Sequence, residues 1–353
     1  MTKIQWTDDT WNPIVGCSIV SPGCTNCYAM KAAWRMGHNP LTPQYAGLTK
    51  KVNGNAVWTG KMALAEKALL KPLRRQKPTM YFVNSMGDLF HENVPDEWID
   101  QVFAVMALCP QHTFQVLTKR ADRMREYFAG DRQNIIAWKP VAEILNRWFP
   151  SWRGEFSDGP HRSRGIKAGA IWPLPNVWLG VSVEDQPRAD ERIPLLLDTP
   201  AAVRFVSAEP LLAKIDISKW LHNPACRAFN PDICTCYTED RTRLNWVICG
   251  GESGKDARAM HPDWARSLRD LCQDAGVPFF FKQWGEWVPA SHIPPELDVD
   301  DLDLGEFHDG CNFILGCDCS AGDKGSLMFK IGKKDEFNLL DGRVWADMPE
   351  VAA

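Results

Sequence analysis

Several features that mark particular classes of protein are missing from this sequence. Its 353 residues contain no run of about 18 consecutive apolar residues, so we expect no transmembrane helix and no membrane partner. The N-terminal stretch MTKIQWTDDTW has no apolar core, and we therefore expect no secretion signal and a cytoplasmic location. A formal net charge of only −4 excludes a chain that binds nucleic acid through overall positive charge, although a local basic surface is still compatible with it.

Cysteine, by contrast, is plentiful. The chain has 12 cysteines, and without a secretion signal they indicate a reducing compartment. In such a compartment clustered thiols bind metal more often than they form disulfides. Hydrophobic residues make up 45% of the chain and charged residues 24%, as in ordinary globular proteins, so one large domain or two smaller ones can form a core.

Short apolar runs and amphipathic stretches alternate along the chain. Seven runs predict buried strands, at 12–17, 79–85, 113–119, 177–183, 203–209, 245–251 and 278–284. Helices are predicted near 61–75, 95–108, 121–129, 133–148, 187–197 and 262–275. This alternation predicts an α/β protein with a parallel sheet covered by helices. Seven strands favour a partial or full parallel (β/α) barrel, and a doubly wound open sheet is the alternative.

The barrel is predicted to span residues 1–287. Three polar or turn-rich stretches interrupt it as insertions, at about 38–60, 150–176 and 219–243. Residues 288–353 are predicted to form a C-terminal extension that carries a cysteine cluster.

Three cysteines lie close together after the first predicted strand. Cys17, Cys24 and Cys27 have the spacing C-x6-C-x2-C, and a short helix that Gly37 ends follows them. A helix N-terminus favours thiolates, which are the form that ligates metal. A structural zinc site needs four ligands, so a distant residue would have to supply the fourth. Three thiolates on a 4Fe-4S cluster leave one iron open for a ligand, which favours a cluster over zinc, a disulfide or unrelated thiols.

This loop after a first strand resembles that of the radical S-adenosylmethionine (SAM) superfamily, whose usual spacing is C-x3-C-x2-C. Here the first gap is six residues, and Asn26 takes the place before the third cysteine where an aromatic residue is often found. The resemblance implies a radical SAM barrel and a 4Fe-4S cluster on Cys17, Cys24 and Cys27. It also implies that the open iron binds SAM and that a flavodoxin or ferredoxin supplies electrons. Reductive cleavage of SAM would then give a 5′-deoxyadenosyl radical that abstracts hydrogen from a substrate.

The chain is also similar to an uncharacterised family encoded by phages and mobile elements. The matching stretches are WNPIVGCSIVSPGCTNCYA, GVSVEDQ, FVSAEPLL, WVICGGESG, FFKQWGEW and LLDGRVWADMP. Such phage genes imply a nucleobase or nucleic acid as the substrate of a modification or repair reaction. Basic stretches at 71–77, 118–125 and 161–167 are compatible with phosphate contacts, although charge runs are more often solvated faces.

Polar or small residues follow six of the predicted strands. In a parallel barrel these ends converge on one mouth, where ligands bind. The candidate cofactor-binding residues are Asn84, Asp88, Lys119, Ser182, Glu184, Ser207, Glu209, Gly250, Gly251, Glu252 and Lys282. Buried carboxylates need partners, which the ammonium and ribose of SAM would supply, and the lysines would neutralise carboxylates. Each residue is equally compatible with an ordinary loop position, and no catalytic residue is predicted.

A second cysteine group is divided between two segments with little core pattern. Its members are Cys226, Cys234, Cys236, Cys311, Cys317 and Cys319. If the segments meet, these thiols would hold a structural zinc or an auxiliary iron–sulfur cluster; the alternative is reduced surface thiols. The alternative function for the whole chain is a zinc-stabilised, non-catalytic protein that binds nucleic acid or a partner. A third interpretation is an iron–sulfur dehydratase or electron carrier that does not use SAM.

Overall fold

The structure is a computed structural model that describes residues 4–129, 172–221, 243–293, 302–308, 312–315, 326–332 and 338–350. The six cysteines of the second group and the predicted helix at 133–148 lie outside the described residues. The chain divides into two compact units. Unit 1 comprises Met1–Val20, Ala29–Val181 and Pro194–Arg204, and unit 2 comprises Ser21–Tyr28, Ser182–Ile193 and Phe205–Ala353.

The described elements are named here in chain order. The strands are β1 (Asp9–Trp11), β2 (Ile14–Val15), β3 (Thr49–Val52), β4 (Asn55–Trp58), β5 (Ala63–Leu64), β6 (Met80–Val83), β7 (Thr113–Thr118), β8 (Val177–Ser182), β9 (Val203–Ala208), β10 (Trp246–Gly250), β11 (Phe279–Gln283), β12 (Trp287–Pro289), β13 (Asp303–His308), β14 (Asn312–Leu315), β15 (Ser326–Lys330), β16 (Leu339–Leu340) and β17 (Arg343–Val344). The α-helices are α1 (Tyr28–Gly37), α2 (Glu66–Leu69), α3 (Lys71–Arg74), α4 (Asp96–Ala107), α5 (Ala121–Phe128), α6 (Gln186–Leu197) and α7 (Pro262–Ala275). Short 3-10 helices cover Pro22–Cys24, Pro43–Tyr45, Ser218–Trp220 and Ala290–His292.

The main sheet has seven strands in the order β1-β6-β7-β8-β9-β10-β11. The pairings β1–β6, β6–β7, β7–β8, β9–β10 and β10–β11 are all parallel. Strands buried on both faces read as continuous apolar runs, and every residue of β8 is buried. The predicted α/β class is therefore confirmed. Because the order follows the chain without reversal, it fits a partial barrel and excludes the doubly wound alternative.

The first strand differs from the prediction. The sheet begins with β1, where Asp9 pairs with Tyr81 of β6, and not with the apolar run at 12–17. Pro13 has no N–H to donate, which separates β1 from that run. Ile14 and Val15 instead form β2, which pairs antiparallel with β5.

Unit 1 has an aromatic core between its helices and strands. Phe103 of α4 meets Tyr127 and Phe128 of α5 with ring centroids 5.8 and 5.3 Å apart. Trp172 stacks on Phe128 at 4.3 Å. These contacts bury the apolar faces of α4 and α5, whose predicted positions at 95–108 and 121–129 are confirmed.

Unit 2 contains the longest described helix. His261 precedes α7, and its Nδ1 accepts a hydrogen bond from the backbone N–H of Asp263 at 3.0 Å. Gly276 ends the helix in a left-handed conformation with φ of 64°, which confirms the predicted stop. A separate antiparallel sheet follows in the order β12-β15-β13-β14.

A segment near the C-terminus lies along the outer edge of β11. The N–H of Phe281 donates to the carbonyl of Trp345 at 2.9 Å, and the N–H of Asp347 donates to the carbonyl of Phe279 at 3.2 Å. Ala346 forms an antiparallel bridge with Phe280 between them. The segment therefore uses the backbone groups that β11 would otherwise present at an open edge.

None of the helices in the described part of the chain combines the length and the hydrophobicity that a membrane span requires.

Candidate functional site

The three cysteines of the C-x6-C-x2-C motif lie in the stretch of chain between β2 and α1. Cys17 follows β2 in unit 1, whereas Cys24 ends the 3-10 helix at Pro22–Cys24 and Cys27 immediately precedes α1, both in unit 2. All three side chains are partly exposed, and none of them forms a disulfide. The N–H of Cys24 donates to Ser21, and the N–H of Cys27 donates to Cys24. The backbone therefore turns tightly through the second half of the loop.

A buried arginine, Arg120, lies beside Cys17 in unit 1. Its Nη1 is 3.7 Å from Cys17 Sγ and 3.0 Å from Asp88 Oδ2. Its Nε donates to Glu92 at 2.8 Å, and its Nη2 donates to Ser18 Oγ at 2.7 Å. Burial alone would lower the pKa of Arg120, but the charges of Asp88, Cys17 and Glu92 outweigh burial and raise it. The guanidinium is therefore a fixed positive charge next to a sulfur, an environment that favours the thiolate.

Asp88 pairs with Arg120, and both of its carboxylate oxygens accept hydrogen bonds. Its Oδ1 accepts hydrogen bonds from Thr118 Oγ1 at 2.7 Å and from the N–H of Phe90 at 3.0 Å. Its Oδ2 accepts from the N–H of Lys119 at 3.2 Å as well as from Arg120. Asp88, in the loop after β6, therefore positions Arg120, which follows β7.

His91 completes the arrangement around Ser18. Its Nδ1 accepts from the N–H of Asn93 at 3.0 Å, so its Nε2, 2.9 Å from Ser18 Oγ, carries the proton in the neutral ring. Burial and the charge of Arg120 lower the pKa of His91. Ser18 Oγ then donates to Glu92 Oε1 at 3.3 Å while it accepts from Arg120 and His91. This network fixes the residue that follows Cys17.

In unit 2, Glu184 supports the loop on which Cys24 lies. Its side chain is 0% exposed. Its Oε1 accepts from the N–H of Gly23 at 3.1 Å, and its Oε2 accepts from Arg192 Nη1 at 3.2 Å. Arg192 Nη1 also donates to the carbonyl of Ser182 at 2.8 Å. A buried ion pair at the end of β8 therefore holds the loop through its backbone.

Glu252, which follows β10, supports the same loop from a second point. Its Oε2 accepts from Asn26 Nδ2 at 3.0 Å, and its Oε1 accepts from Arg258 Nη2 at 2.6 Å. Arg258 Nη2 also donates to the carbonyl of Pro22 at 3.0 Å. Burial raises the pKa of Glu252, but the hydrogen bonds from Arg258 and Asn26 outweigh burial and lower it. Glu252 is therefore ionised and linked to residues on both sides of Cys24.

A third carboxylate in unit 2, Glu209, has a more accessible partner. Lys282 Nζ lies 2.9 Å from Glu209 Oε1, and the two side chains are 20% and 13% exposed. Ser207 Oγ donates to Glu209 Oε2 at 3.3 Å. Gly250 leaves room for this carboxylate, because a Cβ there would lie 2.7 Å from Oε1. The neighbouring Gly251 leaves room for the backbone of Trp284, because a Cβ at Gly251 would lie 1.8 Å from the carbonyl oxygen of Trp284.

Asn84 lies after β6 in unit 1 in an uncommon conformation. It is buried, its φ is 58°, and its Oδ1 accepts from the N–H of Ile14 at 3.3 Å. Its Nδ2 has no hydrogen-bond partner among the residues that the structure describes. A buried amide donor of this kind can bind an acceptor on a ligand.

Sequence reasoning proposed the carboxylates but missed the arginines that pair with them. Glu184 and Glu252 accept hydrogen bonds from the cysteine loop. Glu209 forms an ion pair with Lys282, and Asp88 accepts a hydrogen bond from the backbone N–H of Lys119. Arg192 and Arg258 gave no comparable signal, whereas Arg120 follows a predicted strand end in the sequence LTKR.

The chemistry of the three thiols fits an iron–sulfur cluster, which takes thiolate ligands. No group of three or more His, Cys, Asp or Glu side chains in the described ranges is arranged to hold a metal ion. The fit therefore rests on the donor atoms, their partial exposure and the guanidinium beside Cys17.

A family model described as a protein of unknown function, DUF5131, matches residues 1–349. The chain belongs to this family. No curated protein and no solved structure matches it. The family match agrees with the predicted similarity to an uncharacterised family over most of the chain. Because the description gives no activity, the radical SAM relationship and the phage origin stay predictions.

Proposed function

We propose that this DUF5131 member is an iron–sulfur enzyme of the radical SAM type, in which Cys17, Cys24 and Cys27 hold a 4Fe-4S cluster. The observation that carries the proposal is the position of the Arg120 guanidinium, buried and 3.7 Å from Cys17 Sγ. A fixed cation beside a thiol favours the thiolate that an iron–sulfur cluster needs. Three partly exposed cysteines outside any disulfide are consistent with it.

When bound, the cluster and SAM would supply one-electron reduction and radical chemistry on a substrate C–H bond. The residues of the chain would hold and orient these groups. Glu184 and Glu252 use their carboxylate oxygens on protein donors, so we assign them to positioning the loop. Arg120 would favour the thiolate form of Cys17.

The Glu209–Lys282 pair suits the amino-acid end of SAM. This end is a zwitterion, and the pair offers a carboxylate and an ammonium 2.9 Å apart. Both side chains are partly exposed, so separating them costs less free energy than separating a fully buried pair. Glu209 can then pair with the ammonium of the ligand and Lys282 with its carboxylate. The buried Nδ2 of Asn84 is a further donor in unit 1.

Anaerobic reconstitution with iron and sulfide tests the cluster. We expect a brown protein with about four irons and four sulfides, as a 4Fe-4S cluster requires. The Cys17→Ala, Cys24→Ala and Cys27→Ala variants should each lose it, whereas Cys272→Ala, a buried cysteine of α7, should keep it. Addition of SAM and a strong reductant should then give 5′-deoxyadenosine in the wild type and in Cys272→Ala, and in none of the three loop-cysteine variants.

Three outcomes would reject the proposal in distinct ways. A colourless protein with one zinc per chain would support the non-catalytic binding protein. An intact cluster that does not cleave SAM would support the dehydratase or electron carrier. A cluster that survives all three cysteine substitutions would place its ligands elsewhere.

A further inference from the structure

A long segment near the N-terminus contains no acidic residue. Between Asp9 and Glu66 there is no aspartate or glutamate, although the whole chain has 44. The same segment contains five lysines or arginines, at 31, 35, 50, 51 and 61, and therefore carries +5. Because the whole chain carries −4, the rest of it carries −9. The segment is therefore net positive in a chain that is otherwise net negative.

The fold brings part of this segment together as one surface. Trp34 and Arg35 of α1, together with His38 directly after the helix, follow the three- and four-residue spacing of one helix face, whereas Met30 and Ala33 are buried on another. The ring centroids of Trp34 and His38 are 4.3 Å apart.

The hairpin of β3 and β4 adjoins this face of α1. The hairpin turns at Asn53 and Gly54, whose φ angles of 48° and 79° are those of a type I′ turn. Lys51 of β3 places its Nζ 5.5 Å from the Trp34 ring. We call Trp34, Arg35, His38 and Lys51 the basic face.

The cations of the basic face are available to anions. Arg35 and Lys51 are exposed, and in the described part of the chain neither of them forms an ion pair with a carboxylate. The surface thus combines unneutralised cations with aromatic rings, the combination with which proteins bind the phosphates and bases of single-stranded nucleic acid.

We propose that the basic face binds single-stranded DNA. Arg35 and Lys51 contact phosphates, and the rings of Trp34 and His38 contact bases. The negative charge of the rest of the chain directs a polyanion to this face. The inference deepens the proposed function, because it assigns a nucleic-acid substrate to that enzyme and in this respect rests on it, but DNA binding itself requires neither cluster nor SAM.

Fluorescence anisotropy with a fluorescein-labelled oligodeoxythymidylate and the full-length protein tests the proposal. Wild-type binding should weaken as KCl rises. The double variant Arg35→Gln/Lys51→Gln should bind about tenfold more weakly at low salt, and the slope of log K against log[KCl] should fall by about 1.4, because each lost phosphate contact removes about 0.7. Arg35→Gln should lower the slope by about 0.7.

Lys77→Gln is the matched control. Lys77 is an exposed lysine of unit 1 outside the basic face, within the basic stretch at 71–77. This variant should bind like the wild type. Equal weakening by Lys77→Gln and by the double variant would overturn the proposal, because binding would then be spread over the surface. Polyglutamate that displaces DNA at equal charge concentration would also overturn it, since the face would then bind any polyanion.

The two proposals fail separately. Wild-type protein that binds the oligonucleotide but holds no iron overturns the proposed function and supports the basic face. Protein that holds a cluster and cleaves SAM but does not bind the oligonucleotide overturns the basic face and leaves the proposed function standing.

Discussion

The backbone N–H of Gly23 donates a 3.1 Å hydrogen bond to Oε1 of Glu184, a carboxylate with no exposed surface. A Cβ at Gly23 would lie 3.1 Å from the carboxyl carbon of Glu184, so the close approach leaves little room for a side chain. The peptide next to Cys24 is thus fixed by a charge buried at the end of β8. The stability of this loop and the stability of unit 2 are therefore connected.

Neutralising Glu184 should be costly. In Glu184→Gln, Arg192 remains buried without its counterion, and breaking a buried pair costs about 3–5 kcal/mol of unfolding free energy. Urea denaturation measures this loss. The control is Asp185→Asn at the next position, whose side chain is 16% exposed and pairs with Arg188 at 3.4 Å. It should cost less than about 1 kcal/mol. Equal losses in both variants would contradict the buried-pair interpretation.

Glu252 should make stability depend on pH in the acidic range. Its hydrogen bonds with Arg258 and Asn26 hold its pKa below the ordinary 4.5, against the effect of burial. The resulting stabilisation is complete above pH 4.5 and is lost as the pH falls through the folded-state pKa. Thermal unfolding should therefore show a Tm difference between wild type and Glu252→Gln that is full at neutral pH and shrinks below pH 4.5. A difference that stays constant with pH, or an equal effect of Asp274→Asn on the exposed side of α7, would argue against this.

Arg120 should affect both stability and the chemistry of Cys17. Arg120→Met leaves Asp88 buried without its counterion and should cost about 3–5 kcal/mol. The metal-free variant should also alkylate more slowly at Cys17, because the neighbouring cation is gone. Peptide mass spectrometry after iodoacetamide treatment measures that rate.

Two further variants complete the Arg120 experiment. Arg120→Lys keeps the charge and should recover most of the alkylation rate. Arg123→Met, in the helix α5 that follows Arg120, removes an arginine that pairs with Asp96 and should leave Cys17 unchanged. Unaltered reactivity in Arg120→Met would remove the main support for the proposed function.

Gly251 should tolerate no side chain. A Cβ there would lie 1.8 Å from the carbonyl oxygen of Trp284, a backbone atom that cannot rotate away. Gly251→Ala should therefore cost more than about 4 kcal/mol or prevent folding, as expression and circular dichroism will show. Gly47→Ala is the comparison, because Gly47 has φ of 70° and no atom within 4 Å of the added Cβ. It should cost only about 1–2 kcal/mol of backbone strain; a similar loss in both would contradict the close-contact argument.

The sheet was largely predictable from the sequence because its central strands are buried on both faces. β8 has no exposed residue, so its apolar run is continuous and its bounds were evident. β1 gave no such signal, because only Trp11 of its three residues is buried, and the apolar run after Pro13 was assigned to the sheet instead. Whether a strand can be predicted from the sequence therefore depends on how many of its residues are buried, and not on its length alone.

The candidate site was predictable only in part. Carboxylates at strand ends could be selected, since strand ends can be located. Their partners could not, because an arginine in a sequence is usually an exposed residue. Arg258 follows Glu252 by six residues in a loop without periodicity, and the bond between Gly23 and Glu184 joins residues 161 positions apart. Such pairings depend on the folded backbone.

The backbone bonds between Phe281 and Trp345 and between Phe279 and Asp347 have a consequence for anyone who shortens this chain. A truncation before Trp345 would leave β11 with a row of vacant donors and acceptors, the arrangement through which sheets of separate molecules join and precipitate. Shortened versions made for crystallography or assays should therefore retain residues 345–347, even where the antiparallel sheet before them is removed.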